Sequence, residues 1–172
     1  MKILFTGGGT AGHISPIIAL SRAIKQKYQG KLQLFYLGPK DEFSQELLSK
    51  EGIKVKTILA GKIRRYFEVK STLQNIFDIL FKMPLGFFQA LFYAFLISPD
   101  IIFSKGGYGS LPVVLSGWLL LTPVFLHESD VIPGLANRLA SRFSLEIFVS
   151  FPAEKTGYFA PEKMISVGNP IR

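Results

Sequence analysis

The 172-residue chain contains no cysteine, which excludes a disulfide scaffold, cysteine-ligated zinc and thiol chemistry. Histidine is almost as scarce. His13 and His127 lie far apart and no Asp-x-Asp occurs, so the sequence offers no spacing for a divalent metal, and neither metal nor cofactor is expected. Acidic residues are also few: 12 Asp+Glu against 20 Lys+Arg leave a formal net charge of +8, which points to an anionic partner. No nucleic-acid-binding motif accompanies that charge, so a phosphorylated substrate or a membrane surface is the expected partner rather than nucleic acid. Long uninterrupted apolar runs are missing too. Met1 to Gly7 breaks into glycine before a signal-peptide core can form, and a cytosolic chain is expected. Ile76 to Ile97 is interrupted by Asp78, Lys82, Pro84 and Gln89. Its longest clean stretch, Ala90 to Ile97, is far shorter than the about 20 residues of a bilayer span. Two packed or surface-lying helices are expected there instead.

What remains is rich in core-forming residues, 48% hydrophobic, at a length that suits one domain. Apolar runs at 3–6, 32–37, 55–59, 101–104, 124–127, 145–149 and 165–167 predict strands. Helices are predicted at about 15–27, 42–50, 71–83, 85–97, 111–121 and 133–142. Continuously apolar strands alternating with helices imply an α/β fold, a parallel sheet with helices covering both faces. The domain is expected over residues 1–167. Gly168-Asn169-Pro170-Ile171-Arg172 then reads as the start of a linker, because Asn-Pro promotes a turn.

Three clusters follow strands and would open on one carboxyl edge of the sheet, where open α/β folds bind ligands. The first, Gly7-Gly8-Gly9-Thr10-Ala11-Gly12-His13, opens a helix whose N-terminal N–H groups can meet a phosphate or a sugar oxygen. Gly7, Gly9 and Gly12 fit the dinucleotide pattern, but the acidic residue that pattern needs near the end of the second strand is missing. A purely structural turn is the other reading. The second cluster is Ser104-Lys105-Gly106-Gly107-Tyr108-Gly109-Ser110, and the third is His127-Glu128-Ser129-Asp130. At a helix N-terminus His13 would be kept neutral and able to take a proton from a sugar hydroxyl, or would simply cap and pack. Glu128 and Asp130 are the alternative acid–base groups, unless they cap the next helix. His127 is expected to be structural.

A further feature is compositional: eight of the 16 Phe lie between Phe67 and Phe103. Leu73, Ile76, Phe77, Leu80 and Phe81 have the spacing of one helical face, next to Tyr66 and a basic cluster that includes Lys62, Arg64 and Arg65. That pairing suits binding in the plane of an anionic bilayer, the alternative being ordinary core.

Gly8-Gly9-Thr10-Ala11-Gly12-His13 with Pro16, Gly106-Gly107-Tyr108 with Pro112, His127-Glu128-Ser129-Asp130 with Gly134-Leu135-Ala136-Asn137, and Gly168 to Arg172 together resemble, in order and spacing, the MurG family. These are bacterial transferases that move N-acetylglucosamine (GlcNAc) from UDP-GlcNAc to lipid I, giving lipid II for peptidoglycan. The resemblance covers the whole chain but only the amino-terminal half of the family's GT-B enzyme, whose two domains are Rossmann-like, so it implies a Rossmann-like parallel sheet with helices on both faces. It implies an acceptor- and membrane-binding domain, peripheral on the cytoplasmic face of the plasma membrane, that needs a carboxyl-terminal domain and is inactive alone. His13 would be the catalytic base. Thr10, Ala11, Gly12, Asp130 and Arg172 would meet the donor, and Gly106, Gly107, Tyr108, Glu128 and Asn137 the acceptor. Arg64, Arg65, Tyr66, Leu73, Ile76, Phe77, Leu80 and Phe81 would meet the membrane. Two positions depart from the family: Ala11 stands where Gly is usual, and Asp130 where Asn is usual. A noncatalytic membrane-recruiting or carrier-lipid-binding subunit of a split transferase is the alternative, and a galactolipid synthase is a closer rival.

Overall fold

The computed structural model describes residues 1–8, 11–61, 69–151 and 157–170. Seven strands form one wholly parallel sheet: β1 (Lys2–Thr6), β2 (Gln33–Gly38), β3 (Lys54–Thr57), β4 (Ile101–Ser104), β5 (Val124–Glu128), β6 (Glu146–Val149) and β7 (Met164–Ser166). Their order is β3-β2-β1-β4-β5-β6-β7. The chain reverses direction across the sheet between β1 and β4, and the crevice outside the carboxyl ends at such a switch point is where open α/β sheets bind ligands. Among the described residues, six α-helices lie between the strands: α1 (Ala11–Lys27), α2 (Glu42–Lys50), α3 (Val69–Phe77), α4 (Met83–Ile97), α5 (Leu111–Leu119) and α6 (Leu135–Ala140).

Alternate side chains of the central strands go to opposite faces, as the pleat requires. Ile3 and Phe5 join Ile14, Ile17, Ile18 and Leu48 of α1 and α2 in one core. Leu4, Ile102, Val124 and Leu126 join Ala90, Ala94, Val113 and Val114 of α4 and α5 in the other. The edge strand β3 carries Lys54 and Lys56, exposed charges that discourage pairing with another chain. α2 starts where its hydrophobic pattern does, because Asp41 accepts a hydrogen bond from Ser44 N at 3.1 Å.

Between α3 and α4 the structure differs from the expected pair of separate helices. A π-helical turn, Asp78–Lys82, joins them, with Met83 N–H donating to Asp78 C=O five residues back. Pro84 follows directly at the start of α4, where it has no N–H to donate to the preceding π-helical turn. The 27 residues Ser71–Ile97 thus form one helical segment that is long and apolar enough to cross a membrane, with a mean hydropathy of 1.6 over its most apolar window, of which 17% is buried.

The polarity of this segment is the reverse of an ordinary surface helix. Ser71, Asp78, Gly86, Ala90 and Ala94 are buried, whereas Leu73, Ile76, Phe77, Leu80, Phe81, Leu85, Phe88, Phe92 and Phe95 are exposed. Asp78 is neutralised by Lys82 at 2.8 Å. Small residues spaced by four let α4 approach its support closely, and Gln89 accepts from Leu59 N at 2.7 Å. A Cβ added to Gly86 would lie 1.9 Å from the Leu59 carbonyl oxygen. Gly86→Ala is therefore expected to cost about 1–3 kcal/mol by overpacking and to lower the melting temperature by several degrees. An unchanged thermal melt would contradict this docking of α4.

Candidate functional site

The loops after β1, β4 and β5 meet around one cavity of about 400 Å³, lined among others by His13, Lys105, Gly107, Tyr108, Glu128, Ser129, Asp130 and Asn137. The loops are held by backbone and amide contacts. Gly8 N donates to Gly106 C=O at 2.8 Å and Lys105 N to Thr6 C=O at 2.8 Å, tying the first loop to the second. Gly106 and Gly107 have φ of +87° and +88°, left-handed conformations that side chains other than glycine adopt rarely. That turn aims Gly107 N–H at Asn137 Oδ1, 2.9 Å away, and Asn137 Nδ2 donates onward to Glu128 Oε2 at 2.7 Å. The other oxygen of Glu128 accepts from Asp130 N at 2.9 Å. Glu128 and Asn137 are both buried, so together they shape the second and third loops.

His13 lies in the first turn of α1 with its ring between the glycines. Cβ atoms on Gly8 and Gly107 would come within 2.7 Å of its Cδ2 and 3.1 Å of its Nε2 respectively. Nδ1 is buried without a hydrogen-bond partner. Burial lowers the His13 pKa below the ordinary histidine value and the Lys105 charge adds to the effect; the Lys105 carbonyl and the Glu128 and Asp130 carboxylates oppose it. At neutral pH the ring is therefore uncharged and able to accept a proton.

Of the residues singled out from sequence, the structure gathers His13, Gly107, Tyr108, Glu128, Asp130 and Asn137 around the cavity. Gly106 supports it from behind, and Gly12 is exposed in the first turn of α1. Thr10 and Arg172, like Arg64, Arg65 and Tyr66, lie outside the described residues, as does the side chain of Ala11. Leu73, Ile76, Phe77, Leu80 and Phe81 stand apart from the cavity lining on the exposed face of the α3–α4 segment, with Phe77 and Phe81 each 53% exposed. Among the described residues, no group of three or more His, Asp or Glu is placed to hold a metal ion. Sequence reasoning placed Lys105 and Ser129 in the loop clusters without a role of their own and passed over Met83. A lysine inside a glycine-rich loop reads as solvated, and only the fold brings Met83 to the cavity.

His127 has a structural setting. It is 1% exposed, and its Nε2 donates to Gly168 C=O at 3.2 Å, attaching the segment after β7 to β5. Burial, reinforced by the Lys105 charge, lowers its pKa to about 4, which the bond to Gly168 partly opposes. The unfolded chain takes up this proton at about pH 6.5 and the folded chain only at about 4, so stability is complete above about 6.5 and declines as pH falls between the two. The loss expected from His127 is about 3 kcal/mol. Urea unfolding at pH 7 and pH 4 tests this, since a His127→Gln variant should lose that component of the pH dependence.

Comparison with known proteins agrees with this fold. A crystal structure of MurG from Acinetobacter baumannii superposes with a TM-score of 0.76 at 23% identity, covering 99% of this chain and 46% of that one. A UDP-GlcNAc 2-epimerase from Neisseria meningitidis, bound to UDP-GlcNAc, superposes with a TM-score of 0.67 at 17% identity and shares the fold, with 99% and 47% covered. In sequence, the chain is 43% identical over 171 residues to a Bacillus cereus UDP-N-acetylglucosamine–N-acetylmuramyl-(pentapeptide) pyrophosphoryl-undecaprenol N-acetylglucosamine transferase, covering 99% of this chain and 46% of the relative. A Clostridium tetani transferase of the same description is 41% identical, with 99% and 45% covered. The chain thus spans about half the length of the curated relatives it matches. The family model described as the glycosyltransferase family 28 N-terminal domain matches residues 3–149; the chain belongs to glycosyltransferase family 28 and carries its N-terminal domain.

Proposed function

We propose that this chain is the acceptor- and membrane-binding half of an inverting transferase that moves GlcNAc from UDP-GlcNAc to undecaprenyl-diphosphate-MurNAc-pentapeptide, lipid I, forming lipid II. The observation that carries the reading is the convergence of His13 with the two glycine loops and the Glu128–Asn137 pair on one cavity at the sheet's switch point, in a chain similar to transferases of that description. In the reaction, neutral His13 takes the proton of the acceptor hydroxyl as its oxygen attacks the anomeric carbon of GlcNAc. The bond from that carbon to the UDP oxygen breaks with its electron pair, and the configuration inverts. Gly106, Gly107 and Tyr108 form the acceptor wall, shaped by Glu128 and Asn137. Thr10, Ala11 and Gly12 meet the donor diphosphate at the helix N-terminus, where its charge is favoured. Arg172 and Asp130 face the donor as well, Asp130 accepting from sugar hydroxyls.

The exposed apolar face of α3 and α4, with the basic Arg64 and Arg65 and the neighbouring Tyr66, seats the domain on the cytoplasmic surface of an anionic membrane. A position in the interface fits better than a span. The small-residue side of α4 is already packed into the domain core and Asp78 is buried against it, so the segment would have to leave the fold in order to cross.

Recognition of uracil, ribose and the acetamido group needs a second wall; the relatives are about twice as long as this chain, and the proposal assigns that wall to a carboxyl-terminal half. Transfer from labelled UDP-GlcNAc to lipid I tests the proposal. The chain alone should be inactive, and addition of a separately expressed carboxyl-terminal half should restore turnover. Turnover by the chain alone, or none with both halves folded and mixed, would count against it.

A further inference from the structure

Lys105 is the unusual group in the cavity. It lines the wall yet is only 2% exposed, and an ammonium out of water needs acceptors for its three donors. One proton goes to Ser129 Oγ at 2.9 Å. Among the described residues Lys105 has no ion pair. The oxygens of Glu128, one charge that faces it, are taken by Asn137 and the Asp130 amide. Asp130, the other, is exposed and shielded by solvent. His13 and His127, the remaining titratable groups close enough to feel the Lys105 charge, are both held neutral by burial at pH 7. Lys105 is thus a fixed, incompletely neutralised cation with donors to spare, facing a cavity large enough for a ligand. The same lining includes the apolar side chains of Met83, Leu111, Leu135 and Leu139. Met83 is also the first residue of α4, whose outer face carries Leu85, Phe88 and Phe92.

We propose that Lys105 is a substrate-binding residue whose ammonium takes a phosphate oxygen of a diphosphate, with the cavity's apolar wall receiving the chain attached to it. The assignment deepens the proposed function and rests on it for the identity of the substrate. Two substrates of that reaction carry a diphosphate, the nucleotide donor and the prenyl-linked acceptor, and the apolar lining leading to α4 favours the acceptor. A phosphate there supplies the counter-charge and the acceptors that Ser129 alone does not. Burial, the larger influence, already holds the Lys105 pKa below the ordinary lysine value, with Glu128 and Asp130 opposing, so the incoming anion also secures its proton.

Amide NMR titrations of this chain with inorganic pyrophosphate, geranyl diphosphate and UDP-GlcNAc test the assignment, because they read weak binding directly. Pyrophosphate and geranyl diphosphate should shift the Gly107 and Ser129 amides, geranyl diphosphate at the lower concentration. Lys105→Met should weaken both by about tenfold or more, the scale of a hydrogen bond to a charged group; its thermal melt is recorded alongside, because buried Glu128 loses a nearby cation. Lys105→Gln, which keeps a donor for Ser129, serves if the Met variant fails to fold, and is expected to lose the same affinity. A response to UDP-GlcNAc but not to geranyl diphosphate would keep Lys105 as the phosphate ligand and make the donor the source. Equal affinity in wild type and variant, no pyrophosphate shift in wild type, or a lowered melting temperature with binding intact would overturn the proposal and leave Lys105 as a counter-ion of Glu128 and Asp130. Failure of the transfer assay would bear on the proposed function instead, because the pyrophosphate titration does not depend on turnover.

Discussion

Replacing His13 by alanine, in the transferase assembled from both halves, is expected to lower kcat by about 10²- to 10⁴-fold with little change in the acceptor KM, the loss typical of a missing general base. The structure sharpens this expectation in two ways. First, the imidazole is neutral at physiological pH, because burial and the Lys105 charge hold its pKa below the ordinary histidine value. The acid limb of the kcat profile should therefore fall below that ordinary value and disappear in the variant. Second, the competing base Glu128 already receives hydrogen bonds on both oxygens, which leaves Asp130 as the group to test next. His13→Gln guards against a packing effect, since the ring fills the space between Gly8 and Gly107; a glutamine restores much of the volume but not the base. An unchanged kcat in either variant would reduce His13 to a packing residue.

The second large effect is expected at the membrane. Phe77 and Phe81, their rings 5.1 Å apart, and Phe88 and Phe92 of α4 are all more than half exposed. Burying a phenylalanine side chain in hydrocarbon contributes about 1.5–3 kcal/mol. Phe77→Ser with Phe81→Ser should therefore weaken partitioning onto anionic vesicles by about a hundredfold, while the melting temperature stays put because neither ring belongs to the core. Arg64→Glu with Arg65→Glu should lose the electrostatic part, about 1 kcal/mol per cation and sensitive to salt. Co-sedimentation that is unchanged in the Phe pair would remove the α3–α4 face as the membrane contact.

Much of the fold was legible because a parallel sheet leaves a simple trace. β4 and α2 have the bounds expected from the sequence, and the other strands shift by one or two residues. Fully buried strands are continuously apolar, so Ile101–Ser104 and Val124–Glu128 need no long-range information to be recognised. The α3–α4 segment was harder. A run of Leu, Ile and Phe at helical spacing fits a core stripe as well as an exposed one, and only the position of Gly86, Ala90 and Ala94 against the domain determines which side faces inward. The π-helical turn that makes the segment continuous depends on the Asp78–Met83 backbone bond, for which the residues carry no distinctive pattern. In the site, the glycine loops were visible as loops. Their coupling was not, because the bonds from Gly107 to Asn137 and from Asn137 to Glu128 exist only once β4 and β5 lie side by side. For the same reason the burial of Lys105 could not be read from the chain: a lysine is ordinarily a surface residue.

The central claim is that this chain recognises the lipid-linked acceptor. Its most direct test is sedimentation of the chain with vesicles of equal anionic charge, with and without lipid I. The account predicts tighter binding to the vesicles that contain lipid I, with the increment lost in Lys105→Met and retained in Phe77→Ser. Binding that is the same with and without lipid I would contradict it, reducing the chain to a membrane anchor for a recognition site located elsewhere.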